Sequence, residues 1–227
     1  MTWTESASPS FACRHSSAVD TDAARVLALL ERTRERLRET LPKLAHEPTI
    51  VLHDSPHALL LANPLMAARW ALASRAARRY IAGWTRHGEI HVLSPAALRE
   101  RASRVSGSFE MLALAPATLY VRRVIIESNR DLMNARGPET LWKEQRWAWL
   151  LEGASRWFSG ESGYSSMVLA DYLRSSRREH FPPSAREAPL LAPSLAELLA
   201  EKEGDRGLVR LVSRLHSGGP DAALQVA

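Results

Sequence analysis

The chain has 227 residues, 45% of them hydrophobic, and a formal charge of +5. That is enough apolar material for a buried core, as one domain or as two lobes sharing a cleft. Its one cysteine, Cys13, excludes a disulfide framework and a cysteine-based zinc site within the chain.

The opening MTWTESASPSF lacks a basic segment followed by an apolar one, so no signal peptide is expected. The longest apolar stretches, around 58–73 and 111–126, are interrupted by Pro64, Arg69, Pro116 and Arg122, which argues against a membrane span. A cytoplasmic protein with no membrane partner is the expectation. Of the 30 basic residues 27 are arginine, a balance that attracts phosphate. The 25 acids are interleaved with them, as in ERTRERLRET (31–40), which reads as a solvated helix face rather than a basic patch.

In chain order, residues 1–8 read as a flexible tail and SFACRH as a short strand. DTDAARVLALLERTRERLRETL follows as a helix with a stripe of Ala24, Leu27, Leu30 and Leu37. EPTIVLHDS reads as a buried strand, and PHALLLANPLMAARWALASRAARR as a helix broken at Asn63-Pro64. YIAGWTRHGEIHVLSP predicts two short strands around Arg86–Gly88. The stretch from Ser108 to about Asn129 is apolar on both faces, the pattern of a central buried helix, with a kink expected at Pro116. After the turn NARGP, one helix is predicted from Glu139 to Phe158. The remainder reads as helices in YSSMVLADYLRSS, SLAELLAEKE, GLVRLVSRLHSG and PDAALQVA, with a loop over HFPPSAREAPLLAP. The organisation expected is α+β: a tail (1–8), an α+β lobe (9–137) and a helical lobe (138–227).

Within WAWLLEGASRWFSGE (147–161), Trp147, Leu150, Leu151, Ala154, Trp157 and Phe158 form one apolar stripe. Glu152 lies off it, beside Ala148, Trp149 and Ser155. Two readings stand: a surface i,i+4 pair with Arg156, or a buried acid directed at the 108–129 helix and partnered by Tyr120, Arg122 or Arg123. Gly153 suits a close helix approach.

Other groupings carry less. His53 and His57 in HDSPH lie on a strand-to-helix turn, where i and i+4 do not share a face. His87 and His91 flank Glu89 in a hairpin, and in an extended strand such positions are about 13 Å apart. His180 reads as a loop residue and His216 as a helix C-terminal group. Cys13 and His15 share a strand face without a third group to activate a thiol, and the seven tryptophans read as core. GxSxG, P-loop and GxGxxG patterns are absent.

In the order of its elements the chain resembles the gluzincin-like metallopeptidases of the peptidase MA clan. AGWTRHGEIHVLSP resembles their edge strand, RWAWLLEGASRWFSG the helix bearing their third zinc ligand, and EGDRGLVRLVSRLHSGGPDAAL their helical tail. The resemblance implies a zincin-like α+β fold, with a small mixed sheet and helices followed by a mostly helical C-terminal lobe. Where that family has HExxH, this chain has PATLY: Pro116 and Tyr120 stand at the histidine positions, Ala117 at the general base, and Glu152 alone remains. Two imidazoles and a carboxylate base are what the zinc chemistry requires.

The resemblance therefore implies a pseudo-peptidase with no catalytic residue, metal or cofactor. Its former cleft, lined by Glu89, His91, Arg122, Arg123 and Trp149, would bind a peptide, protein or ligand, an extended peptide adding to the Glu89–Leu93 strand. A divergent hydrolase with metal ligands from other positions is the alternative, and a basic nucleic-acid-binding module a third.

Overall fold

The computed structural model describes residues 3–41, 48–63, 70–71, 73–86, 88–135, 137–175 and 182–226. The break expected at Pro64, and also His87 and His180, lie outside the described residues.

The chain opens with β1 (Trp3–Ala7) and β2 (Ala12–Ser16), an antiparallel hairpin. The expected tail is therefore a strand at the edge of the sheet. Polar bonds rather than apolar burial hold it, so no hydrophobic alternation announces it: Ser6 Oγ lies 2.9 Å from His15 Nε2, and Ser8 Oγ and Ser10 N–H both donate to Glu31 at 2.7 Å. Helix α1 (Asp20–Thr40) follows, burying Ala23, Val26, Leu27, Leu30 and Leu37.

β3 (Thr49–His53) leads into α2 (Pro56–Leu61) and a single turn, α3 (Arg75–Arg78). β4 (Gly83–Arg86) and β5 (Glu89–Leu93) form the expected hairpin, and β5 leads into α4 (Pro95–Arg101). Both β3 and β5 exit through Ser-Pro. Ser55 Oγ accepts from Ala58 N–H at 3.2 Å and Ser94 Oγ from Ala97 N–H at 3.3 Å, with proline in the first turn where no N–H is needed.

The sheet order is β1-β2-β3-β5-β4, with β2, β3 and β5 parallel and the two outer strands antiparallel to their neighbours. β5 is thus an inner strand, and the expected edge at Glu89–Leu93 is occupied on both sides, by β3 and β4. The parallel register pairs Ile50 with Ile90 and Leu52 with Val92, all buried, on one face. The opposite face carries Arg14, Val51, His53, Glu89 and His91.

Ser108 to Ser128 forms two helices, α5 (Ser108–Ala113) and α6 (Ala115–Ser128), meeting at Leu114 (φ −86°, ψ −2°). Pro116 falls in the first turn of α6, where its ring needs no partner, so the expected kink is a break between helices. α6 packs under the apolar face of β4 and β5 and beside α1. α7 (Arg130–Met133) leads to α8 (Pro138–Arg146) and α9 (Ala148–Ser159). The single helix expected over 139–158 is interrupted at Trp147 (φ −104°, ψ 19°), which lets charged α8 stay at the surface while α9 enters the core.

α10 (Ser165–Ser175) precedes α11 (Ala188–Ser213), which begins inside the stretch expected to be a loop. Pro189 sits in its first turn, and Ala188, Leu190, Leu191 and Ala192 are buried, so packing overrides the two prolines. At Gly204 (φ 70°, ψ 175°) the helical path breaks, at the glycine between the two predicted segments. α12 (Pro220–Val226) closes the chain.

One hydrophobic cluster takes in Cys13, Leu52, Tyr120, Leu151, Leu190 and Ala223, on both sides of the boundary expected near 137. Among the described residues no helix is long and apolar enough to cross a membrane.

Candidate functional site

α9 is buried on nearly every side because it lies between α6 and α11. An acid on such a helix needs a partner, and Glu152 has one. Its Oε1 accepts from Arg122 Nη1 of α6 at 2.6 Å, and its Oε2 lies 3.9 Å from Arg156 Nε. Arg122 Nη2 donates to Glu144 of α8 at 3.0 Å. Burial alone would push the Arg122 guanidinium down, but Glu152 and Glu144 outweigh it and hold the group above its ordinary value.

The network continues. Arg156 is ion-paired with Glu161, which also accepts from Thr118 Oγ1 at 2.6 Å, and Thr118 in turn meets Ser159 Oγ at 2.8 Å. Glu152 (8% exposed), Glu161 (3%), Arg122 (6%) and Arg156 (4%) form a buried polar layer joining α6, α8 and α9. The reading of Glu152 as a buried acid directed at α6 and partnered by Arg122 holds, whereas the surface pair with Arg156 does not: both residues are buried, and Arg156 only flanks the acid at 3.9 Å.

The surface of α6 facing this layer carries Thr118 and Arg122, one turn apart. Tyr120 faces the other way. Its ring meets Phe11 edge-on with centroids 5.1 Å apart, and its hydroxyl, pushed up by burial, lies in the field of Arg34 and Glu31 of α1. Pro116, one turn before Tyr120, shares that side, and Ala117 is fully buried. The structure therefore does not bring Pro116, Ala117 and Tyr120 to Glu152, and a hydroxyl bond from Tyr120 to Glu152 is not formed. Thr118 and Arg122, rather than Pro116 and Tyr120, stand on the side of α6 that meets Glu161 and Glu152. Apolarity on both faces of α6 left its rotation open, and only α1 and α9 set it.

The donor set does not fit a divalent metal. The acids of the layer, Glu152, Glu144 and Glu161, are already paired with the guanidinium groups of Arg122 and Arg156, whose charge repels a cation. Among the described residues no group of three or more His, Cys, Asp or Glu could hold one. Among the described residues the partners seen at Glu152 are Arg122 and Arg156, where the hydrolase alternative requires histidines.

The other expected cleft residues lie apart. Trp149 is 2% exposed, a core side chain rather than a cleft wall, and its indole N–H has no hydrogen-bond partner among the described residues. Arg123 turns to Glu127 at 2.5 Å. Cys13 is buried with its thiol pushed up to about 12, which rules out thiolate chemistry at neutral pH.

Glu89 and His91 belong to a second constellation on the polar face of the sheet. His53 Nε2 and His91 Nδ1 are 3.0 Å apart, His91 Nε2 is 3.1 Å from Glu89 Oε2, and Glu89 is ion-paired with Arg14 of β2. Trp84 of β4 stacks on His91 with centroids 3.9 Å apart and planes 7° apart. The hydrogen bond from His91 holds the Glu89 carboxyl below its usual range despite partial burial. Burial, and then the neighbouring His91, bring His53 down to about 4. Spacing within HDSPH and HGEIH could not reveal this pair, because its partners come from strands joined in parallel register.

Comparison with known proteins adds no identity: no family model, curated protein or solved structure matches this chain.

Proposed function

We propose that the chain is a non-catalytic binding protein on a gluzincin-like scaffold, in which an arginine has replaced the metal. The observation that carries the reading is Arg122, whose guanidinium bonds to Glu152 and Glu144 at the junction of α6, α8 and α9. A permanent cation there balances the buried acids without an ion to acquire or lose. Support for the scaffold comes from the order of parts: a mixed sheet with an antiparallel outer strand, a buried helix beneath it, and a second helix presenting an acid to the first.

The ligand we assign is an extended peptide on β4, since β5 is closed. The Leu93 N–H to Ala82 carbonyl bond (3.0 Å) sets the phase of the β4–β5 ladder. Trp84 then pairs inward with His91, and the backbone groups of half-buried Thr85 point to the unpaired side, while Gly83 before it is buried. Such an edge accepts another strand, with affinity from main-chain bonds and specificity from alternate side chains.

Two measurements test this. Elemental analysis of tag-free protein, purified without chelator, should give far less than one metal per chain, in the wild type and in Glu152→Ala alike. Near-stoichiometric zinc lost in the variant would overturn the non-catalytic reading. Binding to an array of extended peptides should be lost in Thr85→Pro, which removes an outward N–H while sparing the inward ladder. Unchanged binding in Thr85→Pro would place the ligand elsewhere.

A further inference from the structure

We propose that His53 and His91 form a two-step proton latch between β3 and the β4–β5 hairpin, which stores one proton with its bridge intact and releases the bridge on taking a second. The inference is independent of what β4 binds.

The direction of every bond in the row follows from its terminal carboxylate. An ionised Glu89 only accepts, so His91 must carry a hydrogen on Nε2 to reach Glu89 Oε2. In a neutral His91 the Nδ1 is then an acceptor, and the 3.0 Å contact requires His53 to donate from Nε2. One arrangement of the two neutral rings satisfies both bonds.

The first proton belongs on His91. Glu89 lies against one of its nitrogens and the π face of Trp84 covers its ring, and both favour an imidazolium. A charged His91 donates from both nitrogens. His53 keeps the bridge by moving its own hydrogen to Nδ1 and accepting at Nε2. Asp54, whose charge acts on His53 and whose Oδ1 is buried without a hydrogen-bond partner among the described residues, offers that hydrogen an acceptor.

The second proton has no such arrangement. With both rings charged, two N–H groups face each other across 3.0 Å, and the bond becomes a repulsion. The charged and titratable groups seen around the two rings among the described residues fit this order. Arg14 of β2 neutralises Glu89, Trp84 of β4 covers His91, Asp54 follows β3, and His57 of α2 is exposed to solvent. The depressed pKa of His53 agrees with the second step being late.

The test is histidine-ring ¹H–¹⁵N correlation NMR on the full chain from pH 8 to pH 3.5, with backbone amide exchange alongside. At pH 8 both rings should carry hydrogen on Nε2. On acidification His91 should charge first, while His53 stays neutral and switches to the Nδ1–H form. Protection of the β3–β5 amides, corrected for intrinsic exchange, should meanwhile fall about 100-fold between pH 6.5 and pH 4, where the opened strand takes up a proton on His53 that the closed one refuses, and should level as the closed ring charges. In His53→Gln, whose amide still donates to His91 without titrating, that loss should vanish.

His53 in the Nδ1–H form at pH 8, or two rings titrating independently near the ordinary histidine range, would overturn the latch. So would the same acid loss of protection in His53→Gln. The wild-type ring spectra decide the order of protonation even if the variant misfolds.

Discussion

Arg122 is the residue on which the buried layer depends, because it touches acids from two helices. Removing one partner of a buried pair leaves the other charged in a dry site, at a cost of about 3–5 kcal/mol. Arg122→Ala should therefore lower unfolding free energy by that amount in urea titration, and Glu152→Ala by somewhat less, because Arg122 keeps Glu144. The pair Arg122→Met with Glu152→Leu should recover most of the loss, since apolar replacement of a buried ion pair is often neutral or stabilising. A double variant no better than Arg122→Ala alone would show that the layer contributes more than paired charge.

His53 gives the other prediction at this scale. Its folded-state pKa, about 4, lies below its ordinary 6.5. Above pH 6.5 the group is neutral in both states and its contribution to stability is constant. As pH falls through 6.5 the unfolded chain takes up the proton and the folded chain does not, so stability declines until about pH 4 and then levels. The shift corresponds to about 3 kcal/mol. Urea titrations at pH 7 and pH 4.5 should differ by most of that amount, and His53→Gln should remove the difference.

Among elements, α9 and α11 meet at a close junction. A Cβ on Gly153 would lie 2.5 Å from the Ala192 carbonyl oxygen and 3.1 Å from the Ala196 Cβ. Alanine ordinarily improves a helix interior by about 1 kcal/mol over glycine, so a neutral or stabilised Gly153→Ala would mean the helices can separate. The backbone carbonyl has no rotamer in which to yield, and overpacking costs about 1–3 kcal/mol. A net loss in Tm is the expected outcome. The glycine that follows Glu152 is thus explained by its neighbour: the acid turns to α6 and the glycine admits α11.

For the molecule as a whole, the hydrophobic cluster links the sheet, α6 and the C-terminal helices. Residues 1–137 and 138–227, expressed separately, should each fail to fold, because α6 would lose α9 and α9 would lose both its flanking helices. Circular dichroism of the two fragments, alone and mixed, checks this. Native-like spectra from either fragment alone would establish two folding units. The intact chain should unfold in one cooperative transition in urea.

Much of the architecture follows from local sequence alone. The period of α1, the Ser-Pro exits of β3 and β5, the hairpin around Gly88 and the break at Gly204 are short-range chemistry, and each occurs where the residues dictate. A helix apolar on both faces, such as α6, is also legible as central. What periodicity cannot supply is its rotation, so Tyr120, Arg122 and Arg123 all stood as partners for Glu152 until packing selected Arg122. Nor can it supply strand order, which makes β5 an inner strand and joins His53 to His91 across 38 positions. β1 escaped for a different reason: its strand is held by backbone pairing with β2 and by polar bonds such as Ser6–His15, with no apolar alternation to mark it. Local sequence determined the elements because propensity, capping and turn chemistry act over a few residues. Which side chains meet was decided only by tertiary packing, because a buried face satisfies the hydrophobic effect equally well in several registers and the charged pairs select among them.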